Sequence, residues 1–494
     1  MRSLDEKDIL KILNLEDDGS YTIEDIIYNT IDFIIEVIVS KILIPLFCPV
    51  CGQRLKSKGP YTRKAVHPVK QDGYQIYIIA KQRKWYCKHC DEYFNEQFPF
   101  LDRYSHHTNI TNMIVLDYMK DLRLTTRQIA ELVNMSDTEV HNIFSTWVDL
   151  NRLPLTEFIS IDEVYIKTSH MDLYALVIMD FITGQIIDIL PNRLQDTYTR
   201  WFLSIPYCER AIVKVVISDA YGPYLNFNGT FFPNARPALD SFHVMSKLIG
   251  LIIGYINAVY SRFKKIDDER LERINEHRNI KFKSIAPSRE CVLLKDYRWI
   301  LLKNADEISY SSKLYYNRHL GMNVDTHRIE DMFMKIDDNF SEIRDLKEMY
   351  VDFNHTQFND EESALAELDE LIKVYEASHI KLFNTFADYL KEHRESIARS
   401  FSIVEVSRRT IDESTAYYAR LSNGPMESFN RKPKDLKRQC RGLSNFDYTR
   451  NRILWATRIN PPILGIPKTY QQIHSYRGKK RGKYNKKKNK KNKN

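Results

Sequence analysis

The chain has 494 residues, of which 43% are hydrophobic, 28% charged and 12% aromatic; this profile fills ordinary cores and excludes a disordered or collagen-like polypeptide over most of the length. The net charge of +8 is unevenly placed, because the last eighteen residues, Arg477 to Asn494, hold eleven Lys and Arg and no acid. The body is therefore nearly neutral, and anion-binding patches are expected locally and not as a global field.

In chain order, residues 1–30 are acidic and partly helical by pattern, with Asp5, Glu6, Lys7 and Asp8 where a secretory signal would need apolar residues. The apolar stretch Ile31 to Phe47 is broken by Asp32, Glu36 and Lys41 and falls short of the roughly 20 apolar residues of a membrane span. Seven cysteines are too few for a disulfide scaffold in so long a chain. Residues 31–100 carry two tight cysteine pairs, and 101–152 have helical periodicity with turn signals. Short β-rich runs alternate with helical stretches over 153–243 (Phe158–Lys167, Leu173–Asp180, Gln185–Leu190, Ala211–Asp219 and Ala235–Asp240), the pattern of a mixed α/β sheet. Residues 244–421 read as helical throughout. A glycine-marked turn and basic helix follow in 422–470, then a low-complexity basic tail, 471–494, expected to be disordered.

Cys48-Pro-Val-Cys51 and Cys87-Lys-His-Cys90 are separated by 35 residues. Each pair can supply two thiolates from one turn, and Zn²⁺ takes four such ligands in a tetrahedron. A structural zinc ribbon is expected, with the β-rich Tyr74 to Ile79 bringing the knuckles together. Arg63, Lys64, His67, Lys81, Arg83, Lys84 and Trp85 make this region basic, which suits phosphate contact. Residues 124–144 read as a helix-turn-helix. Thr125 with Gln128 and Ser136 with Glu139 match capping boxes, and Val140, Ile143, Phe144 and Trp147 give the second helix an apolar face. That leaves Asp137, Thr138, His141, Asn142 and Ser145 outward, where base edges would be read.

Asp162 stands within the β run Phe158-Ile-Ser-Ile-Asp-Glu-Val, and Asp219 ends the run Val213-Lys-Val-Val-Ile-Ser-Asp, 57 residues later. Carboxylates among buried residues are costly unless paired or metal-bound, and two such acids suit Mg²⁺. Asp180 and Asp240 also end β runs and compete with Asp219. Further on, Asn423-Gly424 makes a turn and Pro425 suits a first helical position. Glu427 then shares one helix face with Asn430, Arg431, Lys434 and Arg438, a carboxylate among phosphate-neutralising groups. Pro433 is expected to kink or end that helix.

The ordered set of the cysteine ribbon, the helix-turn-helix, Ile161-Asp-Glu, Ser218-Asp-Ala-Tyr, Asp240-Ser-Phe-His243, Trp299-Ile-Leu-Leu-Lys-Asn and Ser422-Asn-Gly-Pro-Met-Glu-Ser-Phe-Asn resembles the ISL-three family of bacterial insertion-sequence transposases. The resemblance implies a multidomain α/β chain. A zinc ribbon and helix-turn-helix precede a ribonuclease H-like mixed-sheet core, which begins in 153–243, is interrupted by an all-helical insertion over 244–421 and is completed by 422–470. It also implies a DDE triad of Asp162, Asp219 and Glu427 holding two Mg²⁺ or Mn²⁺ ions, one structural Zn²⁺ on Cys48, Cys51, Cys87 and Cys90, and Asp240 and His243 in support. Contacts to DNA would come from Thr138, His141, Asn142, Asn430, Arg431, Lys434 and Arg438. The implied partners are double-stranded DNA, as terminal inverted repeats and target, and further copies of the chain, at least a dimer during synapsis. The implied location is the bacterial cytoplasm, at the nucleoid and not a membrane. A non-catalytic DNA-binding regulator and a ribonuclease H-like nuclease are the alternatives.

Overall fold

The computed structural model describes residues 6–42, 46–71, 73–167, 173–220, 222–278, 282–408, 416–440 and 445–474; the basic tail expected beyond residue 474 lies outside them. The chain forms two compact units. One takes in the described parts of Met1–Arg152, Tyr165–Leu173 and Arg431–Asn494, the other those of Leu153–Val164 and Tyr174–Asn430.

The first unit opens with a five-stranded sheet: β1 (Tyr21–Asn29), β2 (Ile34–Lys41), β3 (Lys56–Gln71), β4 (Tyr74–Cys87) and β5 (Glu92–Asn95), in the order β1-β2-β4-β3 with β5 paired to β4. The alternate residues Ile35, Val37 and Val39 of β2 are buried with Ile76, Ile78 and Ala80 of β4, beneath Tyr21, Phe98 and Phe100, as period-two alternation requires. Among the described residues up to 30, only Glu6–Ile12 are helical. Tyr21–Asn29, expected as part of a helical segment, is a strand antiparallel to β2, because its Ile and Tyr side chains find a sheet edge to pack on.

Three helices follow, Ile110–Tyr118, Thr126–Leu132 and Asp137–Trp147. They are joined by a helix from far downstream, Phe446–Thr457. From it the Trp455 indole donates to the Leu116 carbonyl at 2.8 Å, and the Arg452 guanidinium donates to the Asp121 and Leu124 carbonyls at 2.9 Å. Residues 446–457, expected with the acidic core, thus complete the helix-turn-helix instead.

The second unit is built on β6 (Phe158–Tyr165), β7 (Tyr174–Asp180), β8 (Ile186–Leu190), β9 (Val215–Ser218) and β10 (Arg236–Leu239), in the order β10-β9-β6-β7-β8. β9 and β10 run parallel to β6. β7 runs the other way, with Phe181 N–H on the Phe158 carbonyl, and β8 is antiparallel to β7. One face packs Ile159, Ile161 and Leu176 against Phe202, Phe227 and Phe232. The other packs Val215, Ile217 and Ala238 against Val406 and Leu421.

Between β10 and the helix Gly424–Gln439 the described residues form helices and loops, with two short hairpins among them, Tyr315–Asn317 with Met322–Val324 and Ile403–Ser407 with Ala416–Arg420. The sequence pattern did not separate these from helix. The long helix Ser241–Arg278 has the length and apolar composition to cross a membrane. Its stripe Val244, Leu248, Ile252, Ile256 and Val259 is nonetheless buried in the core of the helical layer, the i, i+4 spacing of an amphipathic core helix. Gly424–Gln439 is not ended by Pro433, which lies buried inside it.

Trp455 is 3% exposed, so Trp455→Ala should cost about 3–5 kcal/mol. Urea melts and faster amide exchange in Ile110–Tyr118 would register the loss; unchanged exchange there would refute the closing role of the downstream helix.

Candidate functional site

The four cysteines meet because β3 and β4 form one long hairpin. Lys56 pairs with Tyr86, which returns the chain to the first knuckle however long the intervening segment. Gly52, at φ +70°, makes the turn of that knuckle, closed by its N–H on the Cys48 carbonyl at 2.9 Å. The Sγ atoms of Cys48 and Cys90 are 3.9 Å apart, those of Cys51 and Cys87 3.5 Å, and all four lie within 4.8 Å of one another. Zn–S bonds of about 2.3 Å in a tetrahedron require sulfurs about 3.8 Å apart, so the set fits a closed four-thiolate zinc site. The Cys90 N–H, directed at the Cys87 sulfur, is the main cause that brings the Cys87 thiol down to about 7.

In the helix-turn-helix, Thr125 and Gln128 make both bonds of a capping box. Ser136 accepts from the Glu139 N–H, while the Glu139 carboxylate approaches His107 Nδ1 at 3.9 Å. Thr138 is exposed. The His141 ring, expected to face outward, stacks on Tyr448 of the downstream helix with centroids 4.2 Å apart, and Asn142 is half-buried with its Oδ1 enclosed. Tyr448 therefore narrows the outward face to Asp137 and Thr138 with the half-exposed Ser145.

The acids are aligned by strand register. Phe158 pairs with Val215 and Ser160 with Ile217; carried two residues past the last pair, the same offset of 57 puts Asp162 opposite Asp219, whose charge acts on it. On the other side of β9, Arg236 pairs with Val215 and Leu239 with Ser218, so Asp240 is next in line. Neighbouring strands are about 4.8 Å apart, and the three acids stand in a row at the C-terminal edge of three parallel strands. Asp180 ends the antiparallel β7 and belongs to the opposite edge, where Thr156, Thr183 and the Ile182 N–H hold its carboxylate.

Each acid has a distinct environment. Asp240 is 2% exposed, and its Oδ1 accepts the Asn423 N–H at 3.1 Å, fixing the turn that starts the helix Gly424–Gln439. Burial raises its carboxyl, with Asn423, His243 and Arg420 pulling the other way. The half-buried Asp162 accepts the Glu163 N–H at 2.7 Å and the Asn430 side-chain amide at 2.8 Å. Asn430, expected on the DNA side, is instead 4% exposed and turned onto Asp162; its Oδ1 has no partner among the described residues. Glu427, one turn earlier, is exposed and in line with the exposed Arg431, Lys434 and Arg438. Among the described residues the cysteines are the only group of three or more His, Cys, Asp or Glu ligand atoms within 4.8 Å of one another. Asp162, Asp219 and Glu427 are not drawn that close.

Sequence reasoning missed Glu163, whose carboxylate is held by Arg193 at 2.6 Å and by the Tyr224 hydroxyl at 2.5 Å. Its place beside Asp162 was the available signal.

Burial, and then the charge of Asp219, push the Asp162 carboxyl up to about 6, against the Glu163 N–H and His243. Since this lies above the unfolded value, ionising Asp162 opposes folding. The cost is absent below about pH 4 and complete above about pH 6. In magnesium-free buffer with zinc retained, Asp162→Asn should stabilise the fold by up to about 3 kcal/mol at pH 8, a gain that vanishes by pH 4; urea melts at both pH values would test it. Release of zinc by a thiol-modifying mercurial should yield one ion per chain in a colorimetric assay, falling below one with Cys87→Ser.

A family model described as a transposase matches residues 159–453, and one described as the helix-turn-helix domain of transposase family ISL3 matches residues 96–148. The transposase for insertion sequence element IS1001 of Bordetella parapertussis is 24% identical over 272 residues, which cover 53% of this chain. The match spans 60% of that relative's length. Because the first of these family models spans more than half of the sequence, including the strands that align Asp162, Asp219 and Asp240, the chain belongs to the ISL3 (ISL-three) family of insertion-sequence transposases.

Proposed function

We propose that this chain is a DDE transposase with a ribonuclease H-like core, which binds the terminal inverted repeats of its insertion sequence, cleaves the ends and joins them to target DNA. The observation that carries this reading is the shared register that sets Asp162 level with Asp219, together with the Asn430 bond that ties the helix of Glu427 to Asp162. The strand order β10-β9-β6-β7-β8, with only β7 reversed, supports the ribonuclease H-like assignment. The helices between β10 and Gly424 support an insertion within it.

Asp162, Asp219 and Glu427 would hold two Mg²⁺ or Mn²⁺ ions. Hard oxygen ligands suit either, and the like, mutually repelling charges of Asp162 and Asp219, with the Asn430 Oδ1 that has no partner among the described residues, fit a cationic guest. When bound, such ions activate the attacking hydroxyl and neutralise charge on the leaving oxygen. The chain's own residues do the rest. Asn430 orients the Asp162 carboxylate, and Asp240 sets where the helix of Glu427 begins. Arg431, Lys434 and Arg438 lie along the same stripe as Glu427 to neutralise phosphates on either side of the scissile bond. Thr138 with its neighbours would read the repeat ends, in a protein acting at the nucleoid as at least a dimer during synapsis.

Full-length protein with Mg²⁺ and inverted-repeat duplex should nick the ends and then join them to a second duplex. Alanine at Asp162, Asp219 or Glu427 should lower both rates by at least about a thousandfold and leave binding unchanged. Wild-type cleavage in any one variant removes that residue from the triad. The solvent-facing Glu427 favours one rival, a DNA-binding regulator, which would show binding and no cleavage; cleavage without joining would mark a nuclease.

A further inference from the structure

The sheet that carries the four cysteines holds a cavity that the proposed cleavage chemistry does not use. It is half open and holds about 600 Å³, within the range of small-molecule sites. Gln82 of β4 lines it and is 1% exposed, and neither its Nε2 nor its Oε1 has a partner among the described residues. A buried amide left unpaired costs about 1–3 kcal/mol, so a fold that keeps one in a cavity wall retains a donor and an acceptor side by side for something else.

The rest of the lining says what. Tyr93 and Tyr104 are 55% and 77% exposed, with Lys84 4.3 Å over the first ring and Arg103 4.9 Å over the second. Tyr104 is held at φ +67°, a left-handed conformation costly for a bulky side chain. Arg63 secures that loop by donating to the Asp102 carbonyl at 2.9 Å and the Ser105 carbonyl at 2.5 Å. The one carboxylate in the lining, Glu96, is turned to the wall, where the Arg83 N–H and the Trp85 indole occupy its oxygens.

We propose that this cavity takes an unpaired nucleotide of DNA, its base edge on the Gln82 amide, its face on the exposed tyrosines and its phosphate near Lys84 and Arg103. Every base presents adjacent donor and acceptor groups that such an amide can match, and base stacking on aromatic side chains tolerates all four. In a closed duplex the Watson–Crick edges are paired, and a base held in the stack cannot enter a cavity to present its major-groove edge, so the site selects frayed or single-stranded DNA at an end. The inference rests on the chain binding DNA and not on its cleaving it.

Fluorescence anisotropy with full-length protein, zinc retained and magnesium omitted, tests this with three labelled probes: a blunt inverted-repeat duplex, the same duplex with a short single-stranded overhang, and the overhang strand alone. The overhang should tighten binding about tenfold. Gln82→Leu should abolish that gain, spare the blunt duplex and leave Tm unchanged or raised, because the amide has no internal bond to lose. Tyr104→Ala should reduce the gain several-fold. Equal affinity for blunt and overhanging DNA, or a full gain retained in Gln82→Leu, overturns the proposal, as does an equal loss on both probes from Lys84→Ala with Gln82→Leu silent. The strand alone reports the cavity separately: if it binds through Gln82 while the duplex is not recognised, the reading of the repeat ends fails and this one stands.

Discussion

Parallel pairing of three short strands is the constraint on which the acidic edge depends. Side chains alternate faces along a strand, so a slip of one residue would exchange every side chain between the two faces. For β9 that would send the position of Asp219 towards the face lined by Ile159, Phe202 and Phe232. The buried aliphatics on both faces therefore fix more than the core. Val215 and Ile217 hold the ladder in the one register in which Asp162, Asp219 and Asp240 come level.

Charge works against that alignment. Asp162 and Asp219, side by side in a half-buried place, repel, and Glu427 remains on a solvent-facing stripe. The protein offsets this with neutral hydrogen-bond donors: the Glu163 and Asn423 backbone and the Asn430 amide each occupy a carboxylate oxygen. The helical layer between β10 and the helix of Glu427 has its own core. Its length adds little to the cost of closure, because loop entropy grows only with the logarithm of length.

Much of this was legible in the residues. The knuckle spacing, the N-cap residues Thr125 and Ser136 and the five strands of the second sheet follow from local pattern. What was not legible depends on distant partners. Tyr21–Asn29 becomes a strand because β2 offers an edge. His141 loses its solvent face to Tyr448, some three hundred residues away. A helical wheel puts Asn430 at the margin of the basic stripe and cannot say which margin is covered; packing of Met426, Phe429 and Leu436 turns it inward. Pro433 is accommodated because the helix is held by that same buried side, where tertiary packing outweighs an intrinsic preference.

The dependence of the helix-turn-helix on Phe446–Thr457 also orders events during synthesis. Domains fold as their sequence leaves the ribosome, yet this one cannot be finished until Thr457 has been made. Fragments that stop short of Phe446 would carry Thr126–Trp147 without the helix that packs on it.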